Sequence, residues 1–323
     1  GLWADGGNWR TLDNADYDTE PATDEDARFA HLMPGGEQLV TLNAARTVDN
    51  VELGANANGA VTITGTGSLA AERFVNESGD YDFTLDVPVA SAVTGNFWIR
   101  PTGGRDLIFN DTFANGHGGN VLFIFNNGRA LLNGSSTSTG SKLFYDGCHV
   151  ITNHVDALGD GRILSNGDTW TLGLRSDLTV DGQVNFGATH NGMIRVEDGD
   201  ADLTCTLRAG HTLYYGAGDP SDGTMLTVAA NGAGDAGALT LVFAADGSLE
   251  TFNTIRSPIA VEAGQTVAFD ATLGNMELDT YTDTAGRDEA DISGAGAVRI
   301  IGADRFVAVA SDLTHTGGTV IES

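Results

Sequence analysis

Lysine is nearly missing from this chain. Among 323 residues there is one, Lys142, and the 16 basic residues face 44 acids, a formal net charge of −28. That balance argues against nucleic-acid binding, because backbone phosphates need cationic partners. It also sets the surface against an anionic bilayer. No run of 18 apolar residues occurs, so the sequence encodes no direct membrane insertion by a spanning helix. Proline is scarce at 6 residues, which removes the proline-rich disordered class. Glycine is abundant at 44 but keeps no strict three-residue period, which removes collagen. The two cysteines, Cys148 and Cys205, are 57 positions apart and form neither C-x-x-C nor a zinc spacing. A disulfide and two separate small apolar residues both fit them. The chain opens on Gly1 without a basic n-region or an apolar h-region, as a mature exported product or a fragment would. An acidic, lysine-poor surface suits high solubility in salty water. We expect a secreted, extracellular protein at the cell surface.

Helical periodicity is missing as well. No run longer than about ten residues has 3.6-residue apolar spacing free of Gly or Asn. Residues 24–30 have room for one or two helical turns at most. Short apolar β runs occur nearly everywhere instead: Gln38–Leu42, 60–64, 121–125, 169–172, 178–180, 192–196, 203–207, 225–228, 239–243, 266–269 and Ala297–Ile301. Gly, Asn, Asp and Ser separate them, residues that tolerate tight-turn geometry. This texture is all-β and admits two architectures. One is a parallel β-helix (β-solenoid), each coil giving two or three strands to a narrow apolar column. The alternative is a β-sandwich or jelly roll. The short strands, the uniform turn chemistry and the Val, Ile, Leu and Ala content favour the solenoid. At roughly 20 to 28 residues per coil the chain would make about 12 to 16 coils, about 60 to 75 Å long at strand spacing.

Both ends carry a resemblance. Trp3-Ala4-Asp5-Gly6-Gly7-Asn8-Trp9, followed by Asp26-Ala27-Arg28-Phe29-Ala30, resembles the start of exported bacterial solenoid proteins. The stretch from Val40-Thr41-Leu42 to Leu53-Gly54, then Val61-Thr62-Ile63-Thr64-Gly65-Thr66-Gly67-Ser68-Leu69, is similar to the cadence of autotransporter-associated β-strand repeat proteins. Ser293-Gly294-Ala295-Gly296-Ala297-Val298, Gly302 to Val309, and Thr314-His315-Thr316-Gly317-Gly318-Thr319-Val320-Ile321 resemble the same family. The resemblance implies a right-handed β-helix, export, and a surface role usually without catalysis. Residues 1–36 then read as an acidic, tryptophan-containing cap or interface segment, and 37–323 as solenoid with an open C-terminal end. The expected function is a non-catalytic extracellular structural subunit of a fibre, a homo-oligomer built by head-to-tail strand complementation.

Two other functions compete. A surface adhesin or carbohydrate-binding module would take a surface glycan on exposed aromatics, with Trp98, Trp170, Tyr214 and Tyr215 as candidates. A β-helical polysaccharide lyase or hydrolase would need paired carboxylates, or a Ca²⁺ with a basic residue beside it, in a groove; Arg100 and Arg105 near Asp106 are candidates to contact a uronate, with pairing to surface acids as the plain alternative. With 44 acids, close pairs arise by chance. The densest acidic group is Asp13, Asp16, Asp18, Glu20, Asp24 and Asp26. Hard carboxylate oxygens suit Ca²⁺, though the spacing is not that of an EF-hand, and a solvated loop is the plain alternative. Asp279, Asp283, Asp288, Glu289 and Asp291 form a second acidic group. Glu197-Asp198-Gly199-Asp200-Ala201-Asp202 reads first as a charged turn. Strand alternation puts Cys148 and His154 on one face and His149 on the other, which weakens a metal site there. G-x-S-x-G, H-E-x-x-H and P-loop motifs are absent.

Overall fold

A strand of three to five residues buries one face through alternation, but it is too short to stand in an isolated hairpin. Here each strand lies beside the one a coil later. The computed structural model describes residues 3–4, 9–10, 16–17, 21–30, 35–115, 119–124, 128–145, 147–165, 169–181, 184–185, 191–209, 212–213, 226–245, 253–255, 258–278, 292–302, 305, 307–309 and 313–322. Among them every regular element is a strand. Trp9–Arg10 runs antiparallel to Asp16–Tyr17; the ladders below are parallel. The chain is therefore an all-β parallel β-solenoid. The sandwich alternative, which needs facing antiparallel sheets, is excluded. Residues 24–30 make no helix: a turn at 23–24 leads into the strand Ala27–Phe29.

The solenoid forms two compact units. The first comprises 1–142, 147–150 and 157–159, and the second 143–146, 151–156 and 160–323. In the first unit one sheet runs Gln38–Leu42, Val61–Gly65, Phe83–Asp86, Asp106–Phe109, Arg129–Leu132. Gln38 pairs with Val61, Val61 with Phe83, Phe83 with Leu107 and Leu107 with Ala130, so the coils are short and nearly equal. Side chains that bond across one coil step, Asn50 to Asp26 and Arg129 to Asp106, lie 24 and 23 positions apart. A second sheet runs Ala27–Phe29, Asn50–Leu53, Arg73–Asn76, Phe97–Pro101, Val121–Phe123. A third runs Arg46–Thr47, Leu69–Ala71, Val89–Ser91, Phe113–Ala114. Alternate residues of all three sheets point into a buried column rich in phenylalanine. Phe97 stacks on Phe113 at 5.3 Å and meets Phe74 edge-on at 5.6 Å, geometries favoured by the ring quadrupole.

The second unit has parallel strands of two to seven residues, with longer returns. Trp170 pairs with Gly192, a step as short as those of the first unit. Gly192 then pairs with Leu226, Leu226 with Ile259 and Ile259 with Ile292, each step longer by about half. The bonds that cross these coils, Ala230 to Glu262 and Gly199 to Asp235, span 32 and 36 positions. A second sheet runs Leu178–Asp181, Leu203–Ala209, Leu239–Ala245, Thr266–Asp270, Ala297–Ile301, Thr319–Glu322, and a third runs Thr212–Leu213, Asn253–Ile255, Met276–Leu278, Val307–Val309. Much of the added length, 214–225, 246–252 and 279–291, lies outside the described residues. The long returns keep the coil count of the two units below the 12 to 16 expected from one short period.

The glycine motifs of the two ends have a common physical cause. Gly65 and Gly294 each end a strand with φ of 126° and 100°, a region that disfavours any Cβ. A Cβ on either would also strike the carbonyl of the residue one coil earlier, Leu42 or Val261. Two positions on, the Gly67 amide donates to Leu42 O and the Gly296 amide to Val261 O, both at 2.9 Å. Buried polar groups close other corners. Asn76, fully buried, donates to Tyr81 O and Asp106 O and accepts from the Ser78 amide. Lys142 is also fully buried, and its Nζ donates to Ser138 O at 2.9 Å. Cys148 and Cys205 are buried thiols and form no disulfide. Burial pushes Cys205 up to about 12, so it carries no thiolate at neutral pH.

Candidate functional site

Of the six acids expected to hold Ca²⁺, Asp13, Asp18 and Glu20 lie outside the described residues. Asp16 falls in the strand Asp16–Tyr17, its side chain likewise outside the description. Asp24 and Asp26 are exposed. Asp26 Oδ1 accepts from Asn50 Nδ2, on the next coil, at 2.6 Å. Among the described residues no group of three or more His, Cys, Asp or Glu side chains is arranged to hold a metal ion.

What Asp26 borders is a charge cluster on the outer face of the second sheet of the first unit. The register Arg28↔Glu52 sets a guanidinium beside a carboxylate on successive coils. Glu77, just past Arg73–Asn76, comes from the coil after. Arg28 Nη2 stands 2.9 Å from Glu52 Oε1 and 3.4 Å from Glu77 Oε2. Glu52 is pushed up to about 7. Burial is the main cause, with the Glu77 charge next; Arg28 opposes, and a hydrogen bond to Glu77 and the Asp26 charge add to the rise. Sequence reasoning missed this cluster. Its only signal was the even placing of Glu52 between Arg28 and Glu77, two coil steps that total 49 positions, legible once the coil length is known.

Several of the other expected groups make coil-to-coil ties. In 197–202, Asp198 pairs with Arg175 at 2.8 Å and Glu197 with Arg195 at 3.2 Å. Asp200 and Asp202 accept from the amides of Ala236 and Ala238 at 3.2 and 3.0 Å. The segment is a charged turn, with Gly199 at φ 87°. Asp279, Asp283, Asp288, Glu289 and Asp291 lie outside the described residues, as do Tyr214 and Tyr215. Trp170 is buried against Phe144 at 5.5 Å and offers no outer platform. Trp98 sits on the outer face, half-buried, with the Arg73 guanidinium 5.6 Å from its ring. Asp106 is held by Arg129 through two bonds of 2.8 Å, and Arg105 Nε donates to Gly79 O. Cys148 is buried with Val150 on one side of its strand and His149 half-buried on the other. His154 Nδ1 accepts from the Asp156 amide.

The last coil of the second unit is built differently. Thr319–Glu322 is the outer strand of its sheet. Its residues continue the inward columns, Thr319 beside Val298 and Ile321 beside Ile300. Ile321 is nonetheless 76% exposed and Val320 51%. Val309, paired with Leu278, and Leu313, bridged to Ile292, are exposed as well. Arg299 fastens this coil by binding both oxygens of Glu322 at 2.8 Å, and that hydrogen bonding holds the Glu322 carboxyl below its usual range. Against known proteins, no family model, curated protein or solved structure matches the chain.

Proposed function

We propose that the protein is a non-catalytic structural subunit of an extracellular, cell-surface fibre, joined head to tail through its outer strands. The observation that carries this reading is the parallel stacking itself: in both units each strand is extended by the next coil, and a strand of another copy can extend it in the same way. An outer strand offers main-chain donors and acceptors for a further strand, and exposed apolar side chains set its register. The first unit offers outer strands too, Gln38–Leu42 and Arg46–Thr47. A contact between unlike surfaces does not close on itself and so grows into a fibre. The terminal resemblance to autotransporter-associated repeats supports export and a surface location. Electron microscopy of the concentrated protein tests the reading: we expect filaments, and dispersal to single particles in the Val320→Asp, Ile321→Asp double variant. Monodisperse monomers of the unaltered chain at every concentration overturn it.

A second reading, a surface glycan binder, is favoured by Trp98 alone. It requires Trp98→Ala to abolish retention on immobilised glycan while filaments persist.

A further inference from the structure

The cluster at Arg28 does not balance. One guanidinium nitrogen serves two carboxyl groups from two later coils, Glu52 at 2.9 Å and Glu77 at 3.4 Å. Two ionised carboxylates around one guanidinium repel each other, which favours a proton on the less hydrated of them. Two further charged groups on these coils, Asp26 and Arg73, do not supply compensation. Asp26, on the coil of Arg28, adds negative charge while bound to Asn50. Arg73, on the coil of Glu77, turns to Glu72 at 3.2 Å and to the Trp98 ring. Glu52 itself is poorly hydrated, with 18% of its side chain exposed.

We propose that Glu52, set beside Glu77 on the one Arg28 guanidinium, holds a proton in mild acid and that the three groups form a pH-sensitive latch between successive coils, weakened when the proton leaves. The latch belongs to the first unit alone and stands whether or not the protein polymerises. Its direction follows from linkage. Folding raises the Glu52 carboxyl from 4.5 to about 7, so the folded state holds the proton more tightly than the unfolded chain. The stability it contributes is complete below pH 4.5 and is lost as pH rises through about 7. Loss of the proton leaves two negative charges around one guanidinium in a half-buried site, where repulsion is poorly screened. The main chain lies directly beneath, since the Glu77 amide donates to Leu53 O at 2.8 Å.

The test uses the full chain labelled with ¹³C at the glutamate carboxyls, titrated from pH 4 to 9 by NMR. One signal should turn near neutrality and vanish in Glu52→Gln. Glu77→Gln should lower that midpoint by about one unit or more, since it removes the neighbouring negative charge. Hydrogen exchange supplies a reading that needs no variant. After correction for intrinsic rates, protection across 50–53 and 73–77 should fall several-fold between pH 6 and 8, while that of Thr266–Asp270 holds. Glutamates that all titrate below about pH 5.5, a midpoint unmoved by Glu77→Gln, or local protection equal at both pH values would each overturn the proposal.

Discussion

In the first unit every coil returns to register over a short and nearly constant length of chain, as Leu69↔Val89 and Arg73↔Trp98 show. In the second unit the return is as short at Val298↔Thr319 and twice as long at Thr212↔Thr254. Several strands of the second unit reach six or seven residues, but most of the added length lies in the connections. Parallel register is fixed by inward side chains, because a one-residue slip would turn each apolar residue to water. Connections meet no such condition and tolerate length. The columns differ as well. The first unit is filled by a contacting series of phenylalanines, Phe74, Phe97, Phe109 and Phe113. The second unit is mainly aliphatic, with Phe243 and Phe269 stacked at 5.7 Å.

The contrast can be broken by substitution. Phe97→Ala should be the most damaging change, about 3–5 kcal/mol by urea unfolding, because it unseats two neighbouring rings. Phe269→Ala removes one ring contact and should cost less; an equal or larger loss would mean that aromatic continuity does not distinguish the units. Gly65→Ala and Gly294→Ala should each cost about 1–3 kcal/mol. Their equality would show that the same corner serves short and long coils alike, whereas a loss confined to one would separate them. Smallest is the surface pairing. Arg129→Ala, which breaks the two-bond grip on Asp106, should cost no more than about 1 kcal/mol. Arg208→Ala, at a pair exposed on both sides, should leave the unfolding midpoint unmoved.

Much of the fold was legible. Gln38–Leu42 and Ala297–Ile301 are strands at the bounds their sequence suggests, and 203–207 and 239–243 are strands that run two residues further. Alternation and glycine-rich turns are local properties, so one sequence displays them. The coil count was not legible, because it depends on how far a strand travels before it meets its neighbour. The Arg28, Glu52 and Glu77 cluster was hidden for the same reason: its members are distant along the chain and adjacent only when the period is known. Trp98 and Trp170 show the limit of residue type as a guide. Both sit in short apolar runs, yet one is half-exposed and the other is packed against Phe144.

The position of Lys142 gives the protein an unusual chemical face. Its amine is the chain's only side-chain amine, and in the folded state it is enclosed. Aldehydes, activated esters and acyl-transferring enzymes therefore find carboxylates and guanidinium groups but no lysine to modify. Acylation of Lys142 becomes a mark that the surrounding coil has come apart.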